Sequence, residues 1–198
     1  MTKLAKARKV IAEYLTQPAV KLLARTPVTP NTLTWLGFWI TVGAAALVLT
    51  GNLFAAGFVV LVAGFLDMLD GALARTTNQV TRFGGLLDST LDRLSEAILL
   101  LSILVLYTRG QQVAESLLVG IALLGSLLVS YVRARIEALG IECRVGLFTR
   151  PERVIILALG LLLSQFNLAL VIALAVIAIF SFFTAGQRLL YAWRYTRT

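Results

Sequence analysis

Asp67, Asp70, Asp88 and Asp92 stand out in a chain of 198 residues that carries only ten acidic side chains and no histidine. On a helix, Asp67 and Asp70 are three residues apart and Asp88 and Asp92 four, so each pair occupies one helix face. Gly84, four before Asp88, continues the second face without a side chain. Four carboxylates with no His and no nearby Cys are hard oxygen donors, which suit Mg2+ or Mn2+ better than zinc. Ions held between two such helices can neutralise a diphosphate and stabilise charge on a departing phosphate oxygen. A carboxylate left partly free of metal can take a proton from an attacking hydroxyl. Gly71 and Gly84 remove bulk where a ligand must approach the backbone, and Arg75 can hold a phosphate bidentately. The plainer alternative is an ion-pair network tying helices together, with Arg75, Arg82 and Arg93 as partners. Ionised groups beside lipid are costly, which favours a functional cluster.

These residues must be positioned inside a strongly apolar chain. Hydrophobic residues make up 59% of it and charged residues 14%, against roughly 25% charged in soluble domains, and the mean hydropathy is +0.87. Apolar runs near the length needed to cross a bilayer fall at about 33–50, 54–74, 83–107, 113–134, 152–166 and 168–190. The expectation is an all-α integral membrane protein with six transmembrane helices, forming one domain over 1–198. Of 18 Lys and Arg, only Arg109 falls on the far side in this arrangement. The positive-inside rule then makes the basic side cytoplasmic, with both termini and the acidic motif there, in a multi-pass protein of the cell membrane. The net charge of +8 describes a face attracted to lipid headgroups and anionic substrates, and no nucleic-acid-binding pattern accompanies it. The lone Cys143 excludes an internal disulfide.

Residues 2–16 read as an interfacial amphipathic helix: Leu4, Ala7, Val10, Ile11, Tyr14 and Leu15 share one side, with Lys6, Lys9 and Glu13 opposite. Thr29-Pro30-Asn31 opens the first span, with Thr29 or Asn31 as the N-cap.

The run from Asp67 to Asp92 resembles the CDP-alcohol phosphotransferases. That family's signature is D-x2-D-G-x2-A-R-x8-G-x3-D-x3-D, and each fixed position is matched. The resemblance implies six transmembrane helices, a homodimer, a mononuclear or dinuclear Mg2+ (or Mn2+) site, and transfer of a substituted phosphate from a CDP-linked lipid to an alcohol, releasing CMP. Carried over by position, it makes Asp67, Asp70, Asp88 and Asp92 metal ligands, with Asp92 also the general base. It places the CDP-lipid against Asn31, Thr32, Leu33, Thr34, Asp67, Gly71, Ala74, Arg75, Thr81 and Gly84. Shorter strings, Thr29–Thr34, Phe83–Arg93, Tyr131–Glu137 and Arg150-Pro-Glu-Arg153, are similar to the inositol-phosphate-using branch and its archaeal ether-lipid counterparts. Arg133 stands where many of those proteins carry Lys.

A phosphorylated polyol acceptor is also expected from charge. Arg133 and Arg135 end the fourth span, Arg150 and Arg153 begin the fifth, and Arg188 ends the sixth. Guanidinium groups from three helices suit a phosphate dianion. Arg133, Arg153 and Arg188 are assigned to that phosphate. Arg135 and Arg150 are read as cytoplasmic anchors or as partners of Glu137 and Glu152. Inositol phosphate is the expected acceptor, with glycerol phosphate as the alternative. A transporter or channel is the rival of another class, disfavoured because both carboxylate pairs lie at one membrane face and no inverted repeat is visible.

Overall fold

The computed structural model describes residues 16–143, 145–166 and 168–196, and all regular structure in them is helical. A short helix, α1, is described over residues 16–23. Six more follow: α2 (Pro30–Leu49), α3 (Leu53–Thr76), α4 (Arg82–Arg109), α5 (Val113–Ala138), α6 (Arg150–Leu162) and α7 (Ala169–Thr196). The amphipathic helix expected over 2–16 lies, apart from Thr16, outside the described residues.

Local chemistry sets the helix starts. The Thr29 hydroxyl accepts from the Thr32 amide, with Pro30 in the first turn of α2, so Thr29 is the cap. Thr81 caps α4 by accepting from the Gly84 amide at 2.9 Å. At α6 the Thr149 amide and hydroxyl both donate to Glu152 Oε2, at 2.7 and 2.6 Å. That cap starts α6 two residues earlier than the apolar run suggested.

Among the described residues, four helices, α2, α3, α5 and α7, are long and apolar enough to cross a membrane. The other two expected spans differ for separate reasons. Arg82, Asp88, Asp92, Arg93 and Glu96 fall within the first 15 of the 28 residues of α4, and the stretch from there to Tyr107 is mainly apolar. Helix α6 has 13 residues, about 20 Å of rise against a hydrocarbon core of roughly 30 Å. It ends at Leu162, where the expected span continued to 166.

The helices alternate in direction and pack in a closed ring: α2 on α3, α3 on α6, α6 on α7, α7 on α5, α5 on α4, and α4 back on α2. An apolar core including Val48, Val60, Ile103, Val119, Leu161 and Leu174 fills its middle. Short connections keep consecutive helices antiparallel. The start of α2, the end of α3, the start of α4, the end of α5, the start of α6 and the end of α7 therefore all gather at one end. That end carries the acidic signature and the arginines.

Helix α6 joins the ring at very close range. A Cβ on Gly57 of α3 would lie 2.8 Å from the Leu162 backbone nitrogen and 2.9 Å from the Ala158 carbonyl oxygen. Gly57→Val is expected to destabilise the protein by about 1–3 kcal/mol through overpacking, read as a lower thermal midpoint in detergent. Gly43→Ala, where a Cβ would meet nothing within 4 Å, is expected to leave the midpoint unchanged or raise it slightly.

Candidate active site

The signature folds onto two facing helices because its spacer, residues 77–81, is just long enough to reverse the chain. The Thr77 and Gln79 amides donate back to the Leu73 and Ala74 carbonyls, both at 2.9 Å, and Asn78 takes a positive φ of 55°. Asp67 and Asp70 on α3 thereby meet Asp88 on α4. One carboxylate oxygen from each lies within 4.8 Å of the others. Three acids at this range repel one another unless a cation sits among them, and an all-oxygen donor set fits a hard divalent ion. The residues present therefore fit the Mg2+ or Mn2+ expected from the sequence.

Three of the four acids are held by neighbours. Asp70, only 4% exposed, accepts from the Thr34 hydroxyl at 2.7 Å. Arg150 Nη1 donates to Asp67 Oδ2 and lies 2.8 Å from Asp92 Oδ1. One guanidinium nitrogen from the start of α6 thus joins the first carboxylate of the signature to the last. This differs from the expectation of an anchor or a partner for Glu152: Glu152 is used by the Thr149 cap, and Glu137 pairs with Arg133 at 2.8 Å. Asp92 stands beside the three-acid group through Arg150 rather than within it.

Two cavities flank this cluster and share Asp88 and Gly85. The smaller, about 280 Å³, is lined by Asn31, Thr34, Asp70, Gly71, Ala74, Arg75, Thr81 and Gly84 among others. A Cβ on Gly84 would lie 2.9 Å from the Thr81 hydroxyl and 3.2 Å from Asn31 Oδ1, so glycine there keeps the mouth of α4 against α2. Three residues assigned to this region from the sequence do not line it: Thr32, Leu33 and Asp67, the last of which is held by Arg150. Thr32 is exposed, its hydroxyl 2.8 Å from that of Thr29. Leu33 is buried in an apolar cluster with Val20, Leu69 and Leu73. Both belong to the first turn of α2, whose periodicity turns them away from Asn31 and Thr34.

The larger cavity, about 470 Å³, brings together Arg133, Arg150, Arg153 and Arg188 with Asp88, Asp92 and Glu96. The three arginines assigned to an acceptor phosphate already have protein partners. Arg133 makes an exposed pair with Glu137 four residues on. Arg153, 2% exposed, donates Nε to Glu96 Oε1 at 2.6 Å and Nη2 to Glu96 Oε2 at 2.8 Å. Arg188 donates Nε to the Val145 carbonyl at 2.9 Å and Nη1 to the Val129 carbonyl at 2.7 Å. The loop reaches Arg188 through Gly146, whose φ of +140° and 3.1 Å approach to Arg188 Nε by any added Cβ exclude a larger residue. Sequence reasoning passed over Glu96, although Asp88, Asp92 and Glu96 repeat at intervals of four along one face of α4.

The sequence model of the CDP-alcohol phosphatidyltransferase family matches residues 27–186. The chain is 42% identical over 165 residues to the archaetidylinositol phosphate synthase of Methanothermobacter thermautotrophicus, covering 82% of each chain. It is 36% identical over 186 residues to the phosphatidylinositol phosphate synthase of Corynebacterium glutamicum, covering 91% of this chain and 85% of that one. Among solved structures it is similar to the Mycobacterium tuberculosis phosphatidylinositol phosphate synthase with CDP-DAG bound, at TM-score 0.82 and 35% identity over 91% of this chain and 94% of that one. The same enzyme in complex with manganese and citrate gives TM-score 0.83 and 36% identity, over 90% and 88%.

The three-acid geometry makes a binding prediction independent of turnover. Asp70→Asn and Asp88→Asn are expected to abolish Mn2+ binding measured by calorimetry or by loss of the free Mn2+ resonance signal. Thr34→Val, which removes only the donor that orients Asp70, is expected to weaken Mn2+ by about 10-fold. Thr41→Val serves as the control, because that buried hydroxyl donates within its own helix to the Gly37 carbonyl. Undiminished Mn2+ affinity in Asp70→Asn would remove the metal assignment.

Proposed function

The chain belongs to the CDP-alcohol phosphatidyltransferase family, and from that premise we propose that it transfers a phosphatidyl-type group from a CDP-linked lipid to inositol phosphate, releasing CMP, in phospholipid biosynthesis. The observation that carries this reading is the meeting of two unlike cavities at Asp88. One is lined by glycines, threonines and Arg75, which suits a nucleotide diphosphate lying close to backbone. The other is lined by arginines, which suits a phosphorylated acceptor.

In this reading Asp67, Asp70 and Asp88 hold the divalent ion, with Asp92 at its edge, and the ion supplies charge neutralisation on the diphosphate. Asn31, Thr34, Ala74 and Thr81 bound the cytidine and ribose, Gly71 and Gly84 leave it room, and Arg75 reaches the phosphates. Asp92 faces the larger cavity, within reach of the acceptor hydroxyl, and takes its proton. The acceptor oxygen then bonds to the lipid-bearing phosphorus while the bond from that phosphorus to the CMP oxygen breaks. Arg133, Arg153 and Arg188 hold the acceptor phosphate through donors that their protein partners leave over. The donor's lipid, diacyl or ether-linked, lies outside the polar cavities, so either fits the same chemistry.

The membrane arrangement belongs to the same proposal. Helices α2 to α7 form six membrane segments in a homodimer embedded in the cell membrane, with the acidic end and both termini cytoplasmic. Placement of the basic residues supports the orientation. Burial of α6 between α3 and α7 supports its place in the membrane despite its length.

Purified protein incubated with CDP-diacylglycerol or its ether analogue, Mg2+ or Mn2+ and inositol phosphate is expected to release CMP, and free inositol is expected to be inert. Equal turnover with free inositol would sink the acceptor assignment; turnover with glycerol phosphate alone would move the chain to a phosphatidylglycerol-phosphate-type reaction. Asp92→Asn is expected to lower turnover by about 100-fold or more, the scale for losing a general base, while CDP-lipid binding is largely kept. Arg188→Ala is expected to raise the acceptor KM by about 10-fold, since a charge-assisted bond contributes roughly 1.5–3 kcal/mol, with the KM for CDP-lipid unchanged.

A further inference from the structure

Glu96 belongs to neither carboxylate pair of the signature, yet it sits one turn beyond Asp92 on the same face of α4. It is 7% exposed and its partner Arg153 is 2% exposed. The contact is a fork, with Arg153 Nε and Nη2 each on a different oxygen of Glu96 at 2.6 and 2.8 Å. One edge of the guanidinium plane is thereby filled. The nitrogen opposite, Nη1, is buried with no hydrogen-bond partner among the described residues, and the residue that carries it lines the 470 Å³ cavity beside Arg133 and Arg188.

A buried ion pair is a poor way to join two helices. Desolvating both charges cancels much of their attraction, and two apolar residues of similar size hold helices at least as well. What such a pair provides is geometry. Arginine is a planar fork of five donors on a flexible stem. Clamping one edge removes the rotamer freedom that would otherwise be lost when a ligand binds. It leaves the other donors facing a fixed direction. A buried guanidinium donor without a partner is costly to leave unmade, and a phosphate oxygen satisfies it.

We propose that Glu96 is a positioning residue for acceptor binding: it clamps one edge of Arg153 so that Nη1 is presented, already oriented, to the phosphate of the acceptor. The inference rests on the functional reading above, because it takes the arginine-lined cavity as the acceptor site. Glu96 acts through Arg153 and touches neither the metal group nor the nucleotide cavity. Its effect is therefore expected in acceptor affinity and not in donor or metal affinity.

The test is a double-variant cycle on the purified full-length protein. Glu96→Gln preserves size but turns one acceptor of the fork into a donor. It is expected to raise the KM for inositol phosphate by about 10-fold or more, with the KM for CDP-lipid and the Mn2+ dissociation constant within twofold of the parent. In an Arg153→Ala background, Glu96→Gln is expected to move the acceptor KM by less than twofold, because nothing is left to position. Should Glu96→Gln fail to fold, Glu96→Asp keeps the charge, shortens the reach, and is expected to show the same split. An acceptor KM within twofold of the parent, donor and acceptor KM rising together, or effects that multiply in the double variant would each overturn the proposal. If the parent uses glycerol phosphate in place of inositol phosphate, the functional reading falls, and the same cycle run on glycerol phosphate still decides the role of Glu96. A parent that turns over no phosphorylated acceptor overturns both.

Discussion

Charged side chains in this molecule have to be placed within a bundle whose outer surface is largely apolar, and their mutual compensation governs the architecture. An ionised group facing hydrocarbon costs several kcal/mol, so the acids and arginines gather at one end of the helix ring and neutralise one another there. Arg150 joins Asp67 to Asp92, Arg153 joins Glu96, and Thr34 supports Asp70. Arg188 is satisfied by two backbone carbonyls. Each contact crosses between elements, so the charge balance also aligns the helix ends.

That requirement explains the least regular member of the ring. Helix α6 is short, yet it begins with a double cap on Glu152 and has Arg150 and Arg153 within its first turn. Its three-residue spacing sends Arg150 toward the α3 and α4 carboxylates and Arg153 toward Glu96, deeper in α4. The close seat of α6 on Gly57 and of Gly160 on Ala173 brings those arginines far enough inward to reach their partners. Small residues in the apolar part of the bundle thus position charges at its end.

The larger cavity is nearly balanced in charge. Five arginines line it, Arg93 included, against Asp88, Asp92, Glu96 and Glu137. Strong positive potential is therefore not its distinguishing property. What distinguishes it is fixed orientation: Arg153 and Arg188 are buried and held by Glu96 and by the Val129 and Val145 carbonyls. Asp88 links this cavity to the three-acid group, where the mutual repulsion of three carboxylates favours a divalent cation.

How much was legible in the sequence follows from the range of each contact. Asp67, Asp70 and Asp88 lie on two helices joined by a tight turn, so the helical period and a short spacer were enough to predict that they converge. Gly71, Ala74, Arg75, Thr81 and Gly84 of the smaller cavity belong to the same segment, and the helical period of α2 turns Thr32 and Leu33 away from the side that carries Asn31 and Thr34. Composition was enough to identify a bundle of membrane helices and to place its charges at one end. The arginine contacts needed the tertiary structure. Arg150 reaches Asp67 across 83 residues, Arg153 reaches Glu96 across 57, and Arg188 reaches Val129 across 59. Which arginine faces which carboxylate depends on the order in which helices close the ring and on each helix's rotation about its axis. Local periodicity specifies the stripe of residues on each helix, while the packing of the whole bundle decides which stripe meets which.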